Sequence, residues 1–529
     1  MIAAMFLVTI QFMGTANTEP FGEPYEMQGT RLVFTNWHFV RAGSFAWLDR
    51  EGKPAYATRD FKCEPDECRW AAGANSPRGV RIRAFKPSEI RRLDIPLEKP
   101  WESQPITFDC VAEDNGVYKA WGSCGAPCYF ESKDGFHWNR PSIGLVEFQG
   151  SKENNLLPKL PIRNVFIDPS SETERYKCVY EAMITEEEFE RYRARRPDGW
   201  RSIAQRRIDD KTMYCCLKGM VSKDGFTWEE LPDPLVVDHT DTLNVGWFDP
   251  RSKKYVIFVR TWNTFPRAAS NTSARWDSWL NHARRCIGRI EGSDFRNLPL
   301  PETILEAGPD LPPTAGLYTN CFTWIPKAPD CLLMFPAVYD VSDDTTNIRI
   351  ASSLDGKVWN WVPGGPLMET APFGQWNGGC IFVNPPLMEF GDGSFALLYA
   401  GYNVPHKYPR GLMKVDWAYA IWPHGRILAV EAEDRGEFST AALIAKGPRL
   451  YLNARTRRAG HVRVAAQTAP GSNALPGRGM DECVPLVGDQ PRTRVRWNEA
   501  DTLGVEPGQP VVLRFEMEKA ELFSIEFGD

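Results

Sequence analysis

The chain carries 68 Asp and Glu residues, but few of them stand where an apolar β-run begins or ends among other polar groups. Glu102 precedes such a run, and Glu181 closes one in Val179-Tyr180-Glu181-Ala182. Asp238 and Asp241 lead into a third through Val237-Asp238-His239-Thr240-Asp241-Thr242-Leu243-Asn244, while Asp310 and Asp340 flank a fourth. Two carboxylates facing one another can divide acid–base work, one held protonated and the other ionised. Asp241 is the first choice for such a pair, Glu181 the second, and Glu102 a third acid. Polar supports at comparable positions are His239, Arg260, Tyr318, Asn320, Trp376, Asn377, Tyr402 and His406. The planar fork of Arg260 would hold either a catalytic acid or an anionic group of a ligand. Trp376 offers a flat face for stacking.

These residues need a scaffold, and a repeat supplies it. Ser132-Lys133-Asp134-Gly135-Phe136-His137-Trp138 returns as Ser222-Lys223-Asp224-Gly225-Phe226-Thr227-Trp228 and again as Ser353-Leu354-Asp355-Gly356-Lys357-Val358-Trp359. Weaker copies stand at Ser293–Leu298 and Ile421–Arg426. In each full copy the Asp can bond turn amides, Gly provides a positive φ, and Trp covers the next unit. A second repeat lies upstream of each: β-runs that break and resume at Asp114-Asn115-Gly116, after Asp168-Pro169, after Asp249-Pro250, at Pro326–Asp330, and at Gly391-Asp392-Gly393. Hairpin plus hairpin makes a four-stranded antiparallel sheet, and the spacing of about 72 residues predicts five propeller blades. The Asp residues of the Ser-x-Asp-Gly turns are then structural.

The chain's 529 residues, 19 Trp and 42 each of Gly and Pro suit a turn-rich β protein. A net charge of −6 leaves no basic field for nucleic acid or an anionic membrane, so neither is expected as a partner. Residues 1–16 form an apolar run ending in small residues, as a signal peptide does, which predicts a secreted or periplasmic protein. Of the thirteen cysteines, Cys63/Cys68 and Cys124/Cys128 are spaced for local disulfides, and the rest sit in β-runs. No metal site and no cofactor are expected. A Ca²⁺ in the channel is left open, since it needs only oxygen ligands.

The expected architecture is all-β. Residues 17–99 form a small N-terminal β region packed on the propeller, which they would close with a strand. Residues 100–426 form the five-bladed β-propeller, and residues 427–529 a C-terminal β-sandwich. Two insertions interrupt the blades, a helical Thr185–Arg207 and Phe265–Arg285 with Trp276, Trp279 and His282.

Such a propeller followed by a sandwich resembles the secreted bacterial glycosidases of glycoside hydrolase families 32 and 43. Lys99-Pro100-Trp101-Glu102, Glu131–Trp138, Gly144–Ser151 and Asn154-Asn155 resemble a group of family-32-like proteins over residues 100–529. The family-32 nucleophile motif Trp-Met-Asn-Asp-Pro-Asn-Gly and its Glu-Cys acid have no counterpart. Val165-Phe166-Ile167-Asp168-Pro169 is similar to the Arg-Asp-Pro motif, but Gly246-Trp247-Phe248-Asp249-Pro250 repeats it one blade later, as turn chemistry would. The resemblance implies a glycoside hydrolase cutting a poly- or oligosaccharide from a chain end, with paired carboxylates in the central pocket. A non-catalytic glycan-binding propeller and a polysaccharide lyase are the alternatives. The lyase would draw on His239, Tyr318 and Arg260.

Overall fold

The computed structural model describes residues 22–55, 64, 66–73, 75–263, 283–469, 471 and 473–529. Met1–Ala16, Cys63, Trp276, Trp279 and His282 lie outside them. Strand makes up 49% of the structure and helix 4%.

The hairpins expected from the sequence are present, and each opens a sheet. Thr107–Asp114, Val117–Ser123 and Pro127–Ser132 form the first. Asn164–Ile167, Tyr176–Thr185, Lys211–Ser222 and Glu229–Glu230 form the second, with Gln205–Ile208 paired to the start of its third strand. The third runs Val245–Asp249, Lys254–Asn263, Arg284–Gly292, Glu302–Leu305. In the fourth unit two four-stranded sheets lie end to end, one opening on Ala315–Thr319 and the other on Phe322–Ile325. Cys380–Glu389, Phe395–Tyr402 and Val415–Trp422 build the fifth, and Glu89–Arg92, from far upstream, pairs along Val415–Trp422 as its fourth strand. Each sheet contacts the next, and Cys380–Glu389 of the fifth packs against Thr107–Asp114 of the first.

The Ser-x-Asp-Gly turns are alike in atomic detail. Asp134 Oδ1 accepts the amides of Phe136 and His137, both at 2.9 Å, and Ser132 Oγ accepts that of Gly135 at 2.8 Å. Asp224 and Asp355 repeat this with their own turns. Gly135 sits at φ +78°, and a Cβ there would meet the ring of Phe390 in the fifth sheet at 2.4 Å. So glycine is required for close approach as well as for backbone conformation. Trp121 of the first sheet donates to the Gly225 carbonyl of the second at 2.8 Å, which makes these turns seams between sheets. Asp168 is likewise a turn residue, enclosed by Ser170, Lys177 and Tyr255, and Asp249 caps Arg251 and Ser252 in the equivalent turn.

Beyond Arg426 the strands Leu428–Ser439, Arg449–Gln467, Asp489–Arg494 and Pro510–Gly528 pair in one sheet. Two of these strands, Arg449–Gln467 and Pro510–Gly528, run for 19 residues each. Arg455–Gly460 looks like a turn but forms a register shift within Arg449–Gln467, with Ala459 at φ +61°. Arg81–Ala84 and Arg31–Leu32 join this same sheet. Residues 17–99 thus give strands both to this sheet and to the fifth. One apolar core runs from Tyr25, Leu32 and Phe34 through Leu333, Ile381 and Trp422 to Phe515 and Phe527.

The helical insertion is the helix Glu186–Arg195, opened by a capping box in which Thr185 and Glu188 bond each other's backbone. Its buried Phe189 stacks on Tyr214 at 3.7 Å. The expected Cys124–Cys128 disulfide is not formed. Both residues are buried free thiols, with Cys124 hydrogen-bonded to Cys128. Cys68 is disulfide-bonded. Among the described residues no helix is long and apolar enough to cross a membrane.

Candidate functional site

The loop 238–244, leading from the second sheet into the first strand of the third, is held at both ends. Arg201 pairs with buried Asp238 at 3.2 Å, and Asp238 Oδ1 accepts the His239 amide at 2.8 Å. At the far end Asn244 donates to the Asp241 carbonyl at 2.7 Å. Asn320, from the fourth sheet, donates to the carbonyls of Leu243 at 2.7 Å and Phe258 at 3.2 Å. Between these anchors Asp241 takes φ +47°, a left-handed conformation that Asp adopts more readily than most residues.

Its carboxylate meets Arg260 near the end of Lys254–Asn263. Arg260 Nη1 donates to Asp241 Oδ2, while Nε and Nη2 donate to the Tyr318 carbonyl at 3.0 and 2.6 Å. The Arg260 side chain is 1% exposed and that of Asp241 37%, so the arginine stands behind and the carboxylate faces solvent. Partial burial works to raise the Asp241 pKa, but Arg260 foremost, with His239, Arg206 and Arg285, holds it below the usual carboxylate range.

Glu181 projects from Tyr176–Thr185 of the second sheet. It is open to solvent and has no ion-pair partner among the described residues. Surrounding protein raises its pKa through desolvation, and the charge of Asp241 adds to this, while Arg163 and Arg260 oppose it. Two of the three anticipated carboxylates therefore share an electrostatic neighbourhood and shift in opposite directions. The same neighbourhood includes a carboxylate that sequence reasoning passed over. Asp109 lies at a register shift in Thr107–Asp114 and pairs with Arg163 at 3.1 Å. Burial chiefly raises its pKa against the pull of Arg163. Asp109–Arg163–Glu181–Arg260–Asp241 thus forms a charged series from the first sheet to the third.

An aromatic wall completes the site. His239 stacks on Trp262 at 5.2 Å, and both its ring nitrogens lie 2.9 Å from Arg206 Nη2. Burial, then Arg206, pushes the His239 pKa down to about 3. The Tyr318 hydroxyl shares a hydrogen bond with His406 Nε2 at 2.6 Å, and burial with Lys407 and Arg410 lowers the His406 pKa to about 4. Both rings are neutral at neutral pH, so neither is a cationic acid there. The guanidinium of Arg285 lies 4.9 Å from the ring of Trp262, 5.0 Å from Tyr318 and 5.4 Å from Tyr339.

Three expected site residues stand elsewhere. Glu102 is fully buried, paired with Arg140 and capping the Glu98 and Lys99 amides at 2.6 and 3.1 Å, which makes it a turn anchor. Trp376 and Asn377 pack over Gly401, whose missing Cβ leaves room for them. The Trp376 ring lies under Arg92 of the fourth strand of the fifth sheet, at 4.1 Å. Asn320, with its amide fully committed, positions the Asp241 loop from behind. The sequence held clues to the residues that were missed. Trp262 lies two positions past Arg260, and Arg285 is its cross-strand partner in a long hairpin. Asp109 stands between the apolar residues Phe108 and Cys110–Ala112 of its strand. Among the described residues no cluster of three or more His, Cys, Asp or Glu could hold a metal ion.

No family model matches the chain, and no curated protein does. Solved structures do. A GH32 β-fructofuranosidase from Bombyx mori is 8% identical, with 84% of this chain and 94% of that chain covered and a TM-score of 0.35. A thermostable family-43 glycoside hydrolase is 13% identical over 61% and 92%, at 0.32. An N-acetylgalactosamine deacetylase from F. plautii is 12% identical over 72% and 95%, also at 0.32. At such identities and TM-scores, neither activity nor site follows from these likenesses.

Proposed function

We propose that this protein is a glycoside hydrolase built on a five-bladed propeller, with Glu181 as general acid and Asp241 as the ionised base or nucleophile. The observation that carries the reading is the pairing of an Arg260-held carboxylate with an unpaired one that feels its charge. Glycosidic cleavage needs this division of labour. A protonated carboxyl gives its proton to the departing oxygen while an ionised one attacks the anomeric carbon or activates water. Arg260 keeps Asp241 charged, and Asp241 in turn favours the proton on Glu181. Asp109, reached through Arg163, is a third acid that would bias Glu181 from the opposite side.

The propeller is supported by the cyclic order of sheet contacts and by the seam turns. The site gathers the approach to Val245–Asp249 and the ends of Lys254–Asn263 and Ala315–Thr319 around the middle of Tyr176–Thr185, and it is read as the mouth of a funnel that receives a chain end. Export rests on the apolar residues 1–16, and the N-terminus of protein collected from culture medium tests it. The C-terminal strands are read as a sandwich that braces the propeller.

The test of activity is incubation with polysaccharides and aryl glycosides, with Asp241→Asn and Glu181→Gln run in parallel. Each substitution should lower kcat/KM by about 10²–10⁴-fold. Unimpaired turnover in both variants would remove the assignment. Release of an unsaturated, ultraviolet-absorbing sugar end would replace it with elimination.

A further inference from the structure

The cations around the site do not all have partners. Arg163 is taken by Asp109 at 3.1 Å, Arg201 by Asp238 at 3.2 Å, and Arg260 by Asp241 and the Tyr318 carbonyl. Arg206 lies against His239. Arg285 differs. Among the described residues it makes no ion pair and no hydrogen bond, and its Nε is buried without an acceptor. It meets only the faces of Trp262, Tyr318 and Tyr339. Ring faces attract a guanidinium but take no ordinary N–H hydrogen bond, so the buried Nε–H of Arg285 is left without an acceptor and its other donors stay open to a ligand. Burial, then the nearby charge of Arg260, disfavours its charged form, against the pull of Tyr318, Tyr339 and Asp241. Lys407, exposed and 5.9 Å from the Tyr318 ring, adds positive charge to the same wall. An arginine half-withdrawn from water, with aromatic faces around it and open donors, is a receptor for a planar or tetrahedral oxyanion.

We infer that the site takes an anionic sugar, whose carboxylate or sulfate ester is received by the guanidinium of Arg285. This rests on the proposed function for the placement of the sugar, but binding can be read without turnover. It also separates the roles of the two arginines on neighbouring strands, Arg260 being spent on Asp241 and Arg285 being kept for the ligand.

The experiment is calorimetric titration of full-length Glu181→Gln protein with two matched pairs of oligosaccharides. One pair is oligogalacturonide and its carboxyl-reduced form, and the other is a carrageenan oligosaccharide and its desulfated form. The charged member of at least one pair should bind more tightly, and added salt should narrow the difference. The pair that shows it tells carboxylate from sulfate. Adding Arg285→Met should reduce the charged-to-neutral affinity ratio by about 10- to 100-fold, with Arg285→Lys in between, because lysine keeps the charge and loses the fork. The ligand-free melting temperature of Arg285→Met should be unchanged or higher, since an unsatisfied cation has been removed. A purely structural arginine would instead lower it. Equal binding within both pairs, or a ratio that Arg285→Met leaves intact, overturns the inference. Charged ligand that binds but is never hydrolysed by wild-type protein would leave it standing and remove the hydrolase. Hydrolysis confined to neutral glycans would do the reverse.

Discussion

Glu181 and Asp241 are told apart by their surroundings more than by their chemistry. Asp241 has a buried guanidinium behind it, and Glu181 has desolvating protein and a negative neighbour. On the proposed mechanism, Asp241 must be ionised and Glu181 protonated. The rate should rise as pH climbs through the lowered Asp241 pKa and fall as it passes the raised Glu181 pKa, giving an acid plateau bounded above by Glu181. A kcat/KM profile checks the shape, and a rate still climbing at alkaline pH contradicts the assignment. Replacing Arg260 with Met removes the main cause of the Asp241 shift, so the acid limb should move to higher pH while the alkaline limb moves less. Leaving-group dependence provides an independent check. A proton donor matters little when the departing group is a good one. Glu181→Gln should therefore recover most of its loss on activated aryl glycosides, and Asp241→Asn should recover little.

At the scale of the element, the Ser-x-Asp-Gly turns and the 238–244 loop make opposite uses of aspartate. Asp134 bonds the amides of its own turn, and its loss should cost stability alone. We expect Asp134→Ala to lower unfolding free energy by about 1–2 kcal/mol, read as a urea midpoint, with kcat/KM unchanged. The turns were legible in the sequence because their chemistry is local. Ser, Asp and Gly at fixed offsets satisfy one another whatever the rest of the chain does. Asp241, Arg260, His239, Tyr318 and His406 come together in the structure for a related reason, since hairpin ends give the position of strand ends. Glu102, Trp376 and Asn377 stand apart from them, because the sequence cannot tell a loop that faces the other candidates from one that turns onto its own sheet. Arg140 and Gly401, distant in the chain, decide those cases. Arg285 was hidden by register, which becomes visible only once Trp262 is seen opposite it.

For the whole molecule, connectivity decides what can stand alone. The fifth sheet borrows Glu89–Arg92, and Trp422 at the end of its third strand donates to the Phe85 carbonyl at 2.7 Å. The C-terminal sheet borrows Arg31–Leu32 and Arg81–Ala84 in turn. The upstream segment thus ties the two regions together, and the apolar core they share has no seam along which it could part without exposing large side chains. A fragment of residues 100–426 would leave the edge of Val415–Trp422 unpaired, and an open strand edge invites association with other chains. It would also uncover the apolar faces of the fourth and fifth sheets. Residues 22–529 should therefore unfold in one cooperative transition, measured by calorimetry. The 100–426 fragment should elute as aggregate in size-exclusion chromatography and lack a cooperative melt. A soluble, monomeric fragment with a sharp transition would show that residues 100–426 hold themselves together. The borrowed strands would then be accessory, and the site could be studied on the smaller piece.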